Sequence, residues 1–61
     1  MNEVQQTAMN LMESQIKNVG FTPIQIQALT MGLSYYKGGY YEELNDHGFE
    51  VVIKAFVDKY M

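Results

Sequence analysis

Carboxylates and the single imidazole of the chain cluster between residues 42 and 50, where metal binding or acid–base chemistry would be sought first. The cluster consists of Glu42, Glu43, Asp46, His47 and Glu50. Glu43 and His47 are four residues apart, a spacing that aligns two side chains on one helix face. Residues 45–48, however, read as a helix break with a built-in N-cap, and the segment lacks the ligand pattern of a calcium loop. We therefore interpret the cluster as a solvated helix start and predict no metal site.

His47 is also the one candidate for a catalytic base. The chain has no cysteine, and neither Ser14 nor Ser34 has the sequence context of a nucleophile elbow. An enzyme also needs a concave pocket of about 300 Å³ or more, which so short a chain can hardly build by itself. We therefore predict a non-enzymatic protein without a cofactor.

Four tyrosines surround a glycine pair in the segment Ser34–Tyr41, which reads SYYKGGYY. In one interpretation Tyr35, Tyr36 and Tyr41 pack into the core and lend their hydroxyls to helix ends. In the other, Tyr36 and Tyr40 line a surface for a partner protein, because tyrosine is enriched among residues that dominate binding. The candidate partner-binding residues are Tyr36, Tyr40, Tyr41 and Val51.

The charge balance disfavours nucleic acid as a direct partner. Seven acidic residues against four lysines, with no arginine, give a net charge of −3. A surface that follows phosphates and a helix that reads base edges both need positive charge. Ala28 and Gly32 have a spacing found in some helix-turn-helix elements, but the glycine pair interrupts the chain where a recognition helix should follow.

The composition also bears on location and on stabilisation. Residues 1–6 show no positive leader followed by an apolar run, and no stretch approaches the roughly 20 apolar residues of a membrane span. We expect a cytoplasmic protein without membrane contact. Without cysteines, a chain of 61 residues has no disulfides to support a small core. Self-association is the remaining way to cover apolar surface.

Hydrophobic periodicity predicts a first helix from Glu3 to Val19. Its apolar face is formed by Val4, Ala8, Met9, Met12, Ile16 and Val19. Asn2 and Gln5 are spaced as a capping box, and Gly20 is placed to end the helix.

The second predicted helix runs from Pro23 to Lys37 and ends at Gly38. Its start signals are Thr22 as N-cap, Pro23 at the first position, Gln25 as capping-box partner and Phe21 packing on Ile26. It is apolar along two stripes, one of Ile24, Ala28, Met31 and Tyr35, the other of Ile26, Leu29, Leu33 and Tyr36. Gly32 lies between them and would admit another helix closely. Because two stripes need cover on two sides, we expect a homodimer.

The third predicted helix runs from Asp46 to Tyr60, with apolar residues three and four apart. Val51 and Ala55 fall on its polar side, and Val51 could mark a contact with a second chain. Residues 40–45 could form a short additional helix. An alternative is a hairpin closed by the glycine pair, with residues 33–37 and 40–44 as strands, but an isolated two-stranded hairpin is only marginally stable.

These features predict an all-α fold, a small three-helix bundle that forms one helical domain over residues 1–61. The favoured function is a non-catalytic interaction module, a regulator, adaptor or inhibitor that docks on a larger protein through a helical, tyrosine-rich surface. The alternatives are a nucleic-acid-binding transcriptional regulator and a structural subunit of a larger assembly.

Overall fold

The computed structural model describes residues 1–18 and 24–61, which form three α-helices. They are α1 (Glu3–Asn18), α2 (Ile24–Lys37) and α3 (Asp46–Tyr60). No strand occurs within these two ranges. The all-α, three-helix prediction is therefore confirmed, and the hairpin at residues 33–44 is ruled out. The predicted limits at Val19 and Pro23, the stop at Gly20 and the start signals Phe21 and Thr22 lie outside the described residues.

α1 begins with the capping box that the sequence predicts. The Gln5 N–H donates to Asn2 Oδ1 at 2.9 Å, and the Asn2 N–H donates to Gln5 Oε1 at 2.8 Å. Two backbone donors at the helix start are thereby satisfied. Gln5 Nε2 also donates to the carbonyl oxygen of Gly48 at 3.1 Å. The same side chain therefore caps α1 and ties it to the first turn of α3.

The core lies where the three helices meet. Its buried side chains are Ala8, Met9, Met12, Ala28, Tyr41, Leu44, Phe49, Val52 and Phe56. The large ones come from α1, α3 and the connection between α2 and α3. α2 contributes Ala28 and the buried Gly32, which are both small. It can therefore lie close to α1, on which it packs more extensively than on α3.

Gly32 is a point of close approach between α1 and α2, as the sequence predicts. A Cβ atom placed on Gly32 would lie 2.4 Å from Met12 Sδ and 2.7 Å from Met12 Cγ. Both distances are well below van der Waals contact, and Met12 is completely buried. The missing side chain therefore makes room for the Met12 thioether.

The buried face of α2 combines Ala28 of the first predicted stripe with Gly32, which lies between the stripes, and it follows neither stripe along its length. Ala28 is buried, and Met31, Leu29 and Tyr36 are half-buried, whereas Tyr35, Ile26 and Leu33 are exposed. Because the small residues Ala28 and Gly32 face α1, the larger apolar side chains are directed to the flanks. The chain thus leaves part of both stripes uncovered. Tyr35 of the first stripe is 39% exposed, and Ile26 and Leu33 of the second are 55% and 42% exposed.

α2 ends in a Schellman motif at the glycine pair. The Tyr40 N–H donates to the Tyr35 carbonyl and the Gly39 N–H to the Tyr36 carbonyl, both at 3.1 Å. Gly39 adopts the left-handed conformation this motif requires, with φ of 82°. The residue that turns the chain is therefore Gly39, one position after the predicted stop at Gly38.

The connection to α3 is a turn and not the short helix considered for residues 40–45. The Leu44 N–H donates to the Tyr41 carbonyl at 3.1 Å, and Asn45 is extended, with φ −94° and ψ 175°. An extended residue cannot continue a helix, but it suits an N-cap. Asn45 Oδ1 accepts from the Gly48 N–H at 2.7 Å, which confirms the predicted cap of α3.

We predict that Gly32→Ala destabilises the protein by about 1–3 kcal/mol, because overpacking against Met12 outweighs the helix-propensity gain of about 1 kcal/mol. Urea unfolding followed by circular dichroism measures the change. Thr30→Ala, at an exposed position of the same helix, is the control and should be nearly neutral. In a Met12→Ala background Gly32→Ala should become neutral or stabilising. An equal loss in both backgrounds would show that Met12 is not the cause.

We predict that Gly39→Ala costs about 1–2 kcal/mol of unfolding free energy, because a Cβ disfavours the left-handed conformation. Nothing within 4 Å would meet that Cβ, so the loss is conformational and not steric. Gly39→Asn should lose less, since asparagine tolerates this region. The same urea titration distinguishes the two variants, and equal losses would contradict the assignment.

Candidate partner-binding site

Three tyrosines form a connected cluster where α2 joins α3. In this tyrosine cluster, defined as Tyr35, Tyr40 and Tyr41, the ring centroids of Tyr35 and Tyr40 lie 5.1 Å apart. Those of Tyr40 and Tyr41 lie 5.0 Å apart, edge to face at 84°. Both separations are in the favourable range for aromatic pairs. The exposed fraction is 39% for Tyr35, 65% for Tyr40 and 5% for Tyr41.

The Schellman motif explains why Tyr40 meets Tyr35. In this motif the residue after the left-handed glycine usually packs against a residue in the last helical turn. Here those two residues are Tyr40 and Tyr35, which are also joined by a backbone hydrogen bond. The exposed Tyr40 ring is therefore held by local geometry, with a second ring, Tyr41, against its other side.

Tyr40 lies between two surface depressions. The first, which we call the acidic groove, has a volume of about 460 Å³ and is lined by Glu3, Val4, Thr7, Tyr40, Tyr41, Glu42 and Glu43. The second measures about 340 Å³ and is lined by Ser34, Tyr35, Gly38, Gly39 and Tyr40. The acidic groove brings together the first turn of α1 and the turn that precedes α3. Sequence reasoning missed the part played by Glu3 because it is far from Glu42 in the chain.

Tyr41 combines a buried position with an unsatisfied hydroxyl. Within residues 1–18 and 24–61, no group forms a hydrogen bond with the Tyr41 hydroxyl. Burial raises the pKa of this phenol, and the nearby Tyr40 and Tyr35 add to the rise. A buried polar group without a partner reduces stability, so this hydroxyl is a feature that packing by itself does not explain.

Tyr36 is a joint between helices and not part of the tyrosine cluster. Its ring stacks on Phe49 with centroids 4.3 Å apart and planes at 10°. Its hydroxyl donates to the Asp46 carboxylate, and this bond raises the pKa of the Tyr36 phenol. The end of α2 is thereby fixed to the start of α3. Among the predicted site residues, Tyr40 and Tyr41 thus lie together while Tyr36 contacts Phe49.

Val51, the fourth predicted site residue, is exposed on α3. It is not among the residues that line either depression beside Tyr40.

A second polar joint connects the end of α3 to α1. Lys59 Nζ donates to Glu13 Oε2 at 2.7 Å, and the Tyr60 hydroxyl donates to the same oxygen. The hydrogen bond to Glu13 raises the pKa of both the Lys59 ammonium and the Tyr60 phenol. The two partners of Glu13 lie 46 and 47 positions away in the chain, so no local sequence signal indicates these bonds.

The carboxylates and the imidazole between residues 42 and 50 do not converge. Glu42 and Glu43 line the acidic groove, Asp46 accepts from Tyr36, and His47 is exposed. Among the residues that the structure describes, no three side chains of histidine, aspartate or glutamate are grouped so that they could hold a metal ion.

Comparison with protein-family models, curated proteins and solved structures gives no significant match to this chain. None of the described helices is long and apolar enough to cross a membrane.

We predict that stability decreases at alkaline pH. The pKa values of Tyr36, Tyr41 and Tyr60 are raised from 10.0, and that of Lys59 from 10.5. The folded state thus holds these protons more tightly than the unfolded chain does. Their contribution is complete below the ordinary values and is lost as the pH rises through the folded pKa values.

The urea midpoint should therefore fall as the pH is raised above about 10. The matched control is the variant Tyr36→Phe/Tyr60→Phe, which should show a smaller alkaline decrease. A decrease as large as in the parent protein would contradict the assignment to these phenols.

Proposed function

We propose that the chain is a small non-catalytic protein-interaction module, a regulator, adaptor or inhibitor that docks on a larger protein through the surface centred on Tyr40. The observation that carries this proposal is the exposure of Tyr40, which is 65% accessible although its ring contacts two other tyrosines. Tyrosines are among the residues that most often dominate the energy of protein interfaces.

The fixed position of Tyr40 supports the same role. Immobilising a side chain at an interface costs about 0.5–1.5 kcal/mol, and a ring that is already held in place loses less on binding. Tyr35 and Tyr41 hold the Tyr40 ring from two sides, and the Schellman motif fixes its backbone. The cluster is therefore prepared for contact before a partner arrives.

The surroundings of Tyr40 favour a protein partner over nucleic acid. Glu3, Glu42 and Glu43 line the groove on one side of the ring. Single-stranded bases could stack on tyrosine, but such platforms are normally bordered by positive charge that attracts phosphates. Three carboxylates beside the ring would repel them.

The homodimer expected from the sequence stays a prediction, and the flank of α2 supports it. Ile26 and Leu33 lie seven residues apart on one side of this helix and are both exposed. Apolar side chains on a helix flank are suited to cover by a second chain. Neither residue lines the acidic groove, but Ile26 shares a depression with Ser34 and Tyr35.

We predict that Tyr40→Ala weakens capture of a specific cellular partner by about tenfold or more, which corresponds to about 1.4 kcal/mol. Affinity capture from the source cells with quantitative mass spectrometry measures the loss, and thermal unfolding by circular dichroism verifies that the variant folds. Tyr40→Phe should retain most of the binding, because it keeps the ring.

Lys54→Ala, at an exposed position of α3, is the control and should retain the partner. Val51→Ala tests whether the predicted site residue on α3 belongs to the same interface. A partner that is retained equally by the parent protein and by Tyr40→Ala would refute docking through this surface.

A further inference from the structure

The acidic groove beside Tyr40 has a composition that selects a particular ligand chemistry. We propose that it binds an arginine-containing basic segment of the partner protein, with the guanidinium group between the carboxylates and the tyrosine rings. This inference rests on the proposed function and specifies the chemistry of the partner.

The charge of the acidic groove is complementary to that of a basic segment. Glu3, Glu42 and Glu43 line one groove and are all exposed. In the part of the chain that the structure describes, none of them forms an ion pair with a lysine; the Lys59–Glu13 pair lies at the other joint. The groove therefore has negative charge that the described residues do not neutralise. Such a surface attracts a positively charged segment and accelerates its association.

The acidic groove also has an aromatic wall. Tyr40 and Tyr41 line the same groove as the three carboxylates. A cation over a tyrosine ring is attracted by the negative ring face, and arginine also stacks its planar group on aromatic rings. Val4 and Thr7 complete the lining with apolar atoms that can contact the aliphatic part of a long side chain. Carboxylates, aromatic rings and apolar atoms together suit a cation at the end of an alkyl chain, such as an arginine side chain.

Tyr41, which lines the acidic groove, has an unsatisfied hydroxyl. This residue is only 5% exposed, and its oxygen has no hydrogen-bond partner within the described ranges. Guanidinium has five N–H donors, so one of them can satisfy this oxygen while others bind carboxylates. This oxygen is shielded from water in the free protein, so the side chains that cover it must shift before a ligand can reach it. The unsatisfied hydroxyl, which destabilises the free protein, thereby forms a hydrogen bond in the complex.

The test compares the binding of two peptides to the 61-residue chain by isothermal titration calorimetry. One is a short capped peptide of alternating arginine and glycine, and the other has citrulline in place of arginine, which keeps the shape and removes the charge. We expect the arginine peptide to bind at least about tenfold more tightly, with affinity that falls as salt is raised. Equal affinities, or no binding of the arginine peptide at about 1 mM, would overturn the proposal.

Variants locate the binding to the groove. Glu42→Gln/Glu43→Gln should weaken binding of the arginine peptide by about tenfold or more. Glu50→Gln, which changes an exposed acid outside the groove, should leave this affinity unchanged. Tyr41→Phe should raise the melting temperature and also weaken binding of the arginine peptide. A purely structural hydroxyl would not produce both effects. A peptide affinity unchanged by Glu42→Gln/Glu43→Gln would place the binding elsewhere and refute the assignment.

The same variants separate this inference from the proposed function. If Tyr40→Ala releases the cellular partner but Glu42→Gln/Glu43→Gln does not, docking through Tyr40 is supported. The proposal that the groove binds an arginine-containing segment is then wrong. If neither variant releases the partner, both proposals fail.

Discussion

The close contact between α1 and α2 determines the rest of the arrangement. It exists because α2 presents Ala28 and Gly32 to α1, so that the Met12 side chain occupies the space where a side chain on Gly32 would lie. With its smallest residues inside, α2 directs its larger apolar side chains to both flanks. Tyr36 reaches Phe49 of α3 on one flank, while Tyr35 lies exposed and receives Tyr40. The surface with functional interest is thus a consequence of how tightly two helices pack.

Polar joints at the helix ends supplement a small core. Gln5 bonds to Gly48, Tyr36 to Asp46, and Glu13 to Lys59 and Tyr60, so each joint links residues from different helices. In a chain without cysteine such contacts restrain the helix ends that apolar packing leaves free. These contacts also leave the charged groups unevenly paired. Lys59 is neutralised by Glu13, whereas the carboxylates beside Tyr40 form no such pair among the described residues.

Local features could be predicted from the sequence because their physical causes act over a few residues. The capping box of Asn2 and Gln5 and the N-cap at Asn45 each join residues three positions apart. The glycine pair was recognised as a helix end, although the left-handed residue is Gly39, since both glycines tolerate that conformation equally. The groove could not be predicted, because Glu3 and Glu42 are brought together only by the packing of α1 against the turn before α3.

The sequence by itself determined the three main helices, their limits at Glu3, Lys37, Asp46 and Tyr60, and the close approach at Gly32, because periodicity and capping are properties of neighbouring residues. The tertiary structure decided which tyrosines serve the core and which face outward. Tyr40 and Tyr41 are adjacent and identical in type, yet one is 65% exposed and the other 5%. That difference depends on how the turn lies against α1 and α3, and contacts between residues so distant in the chain leave no pattern in the sequence.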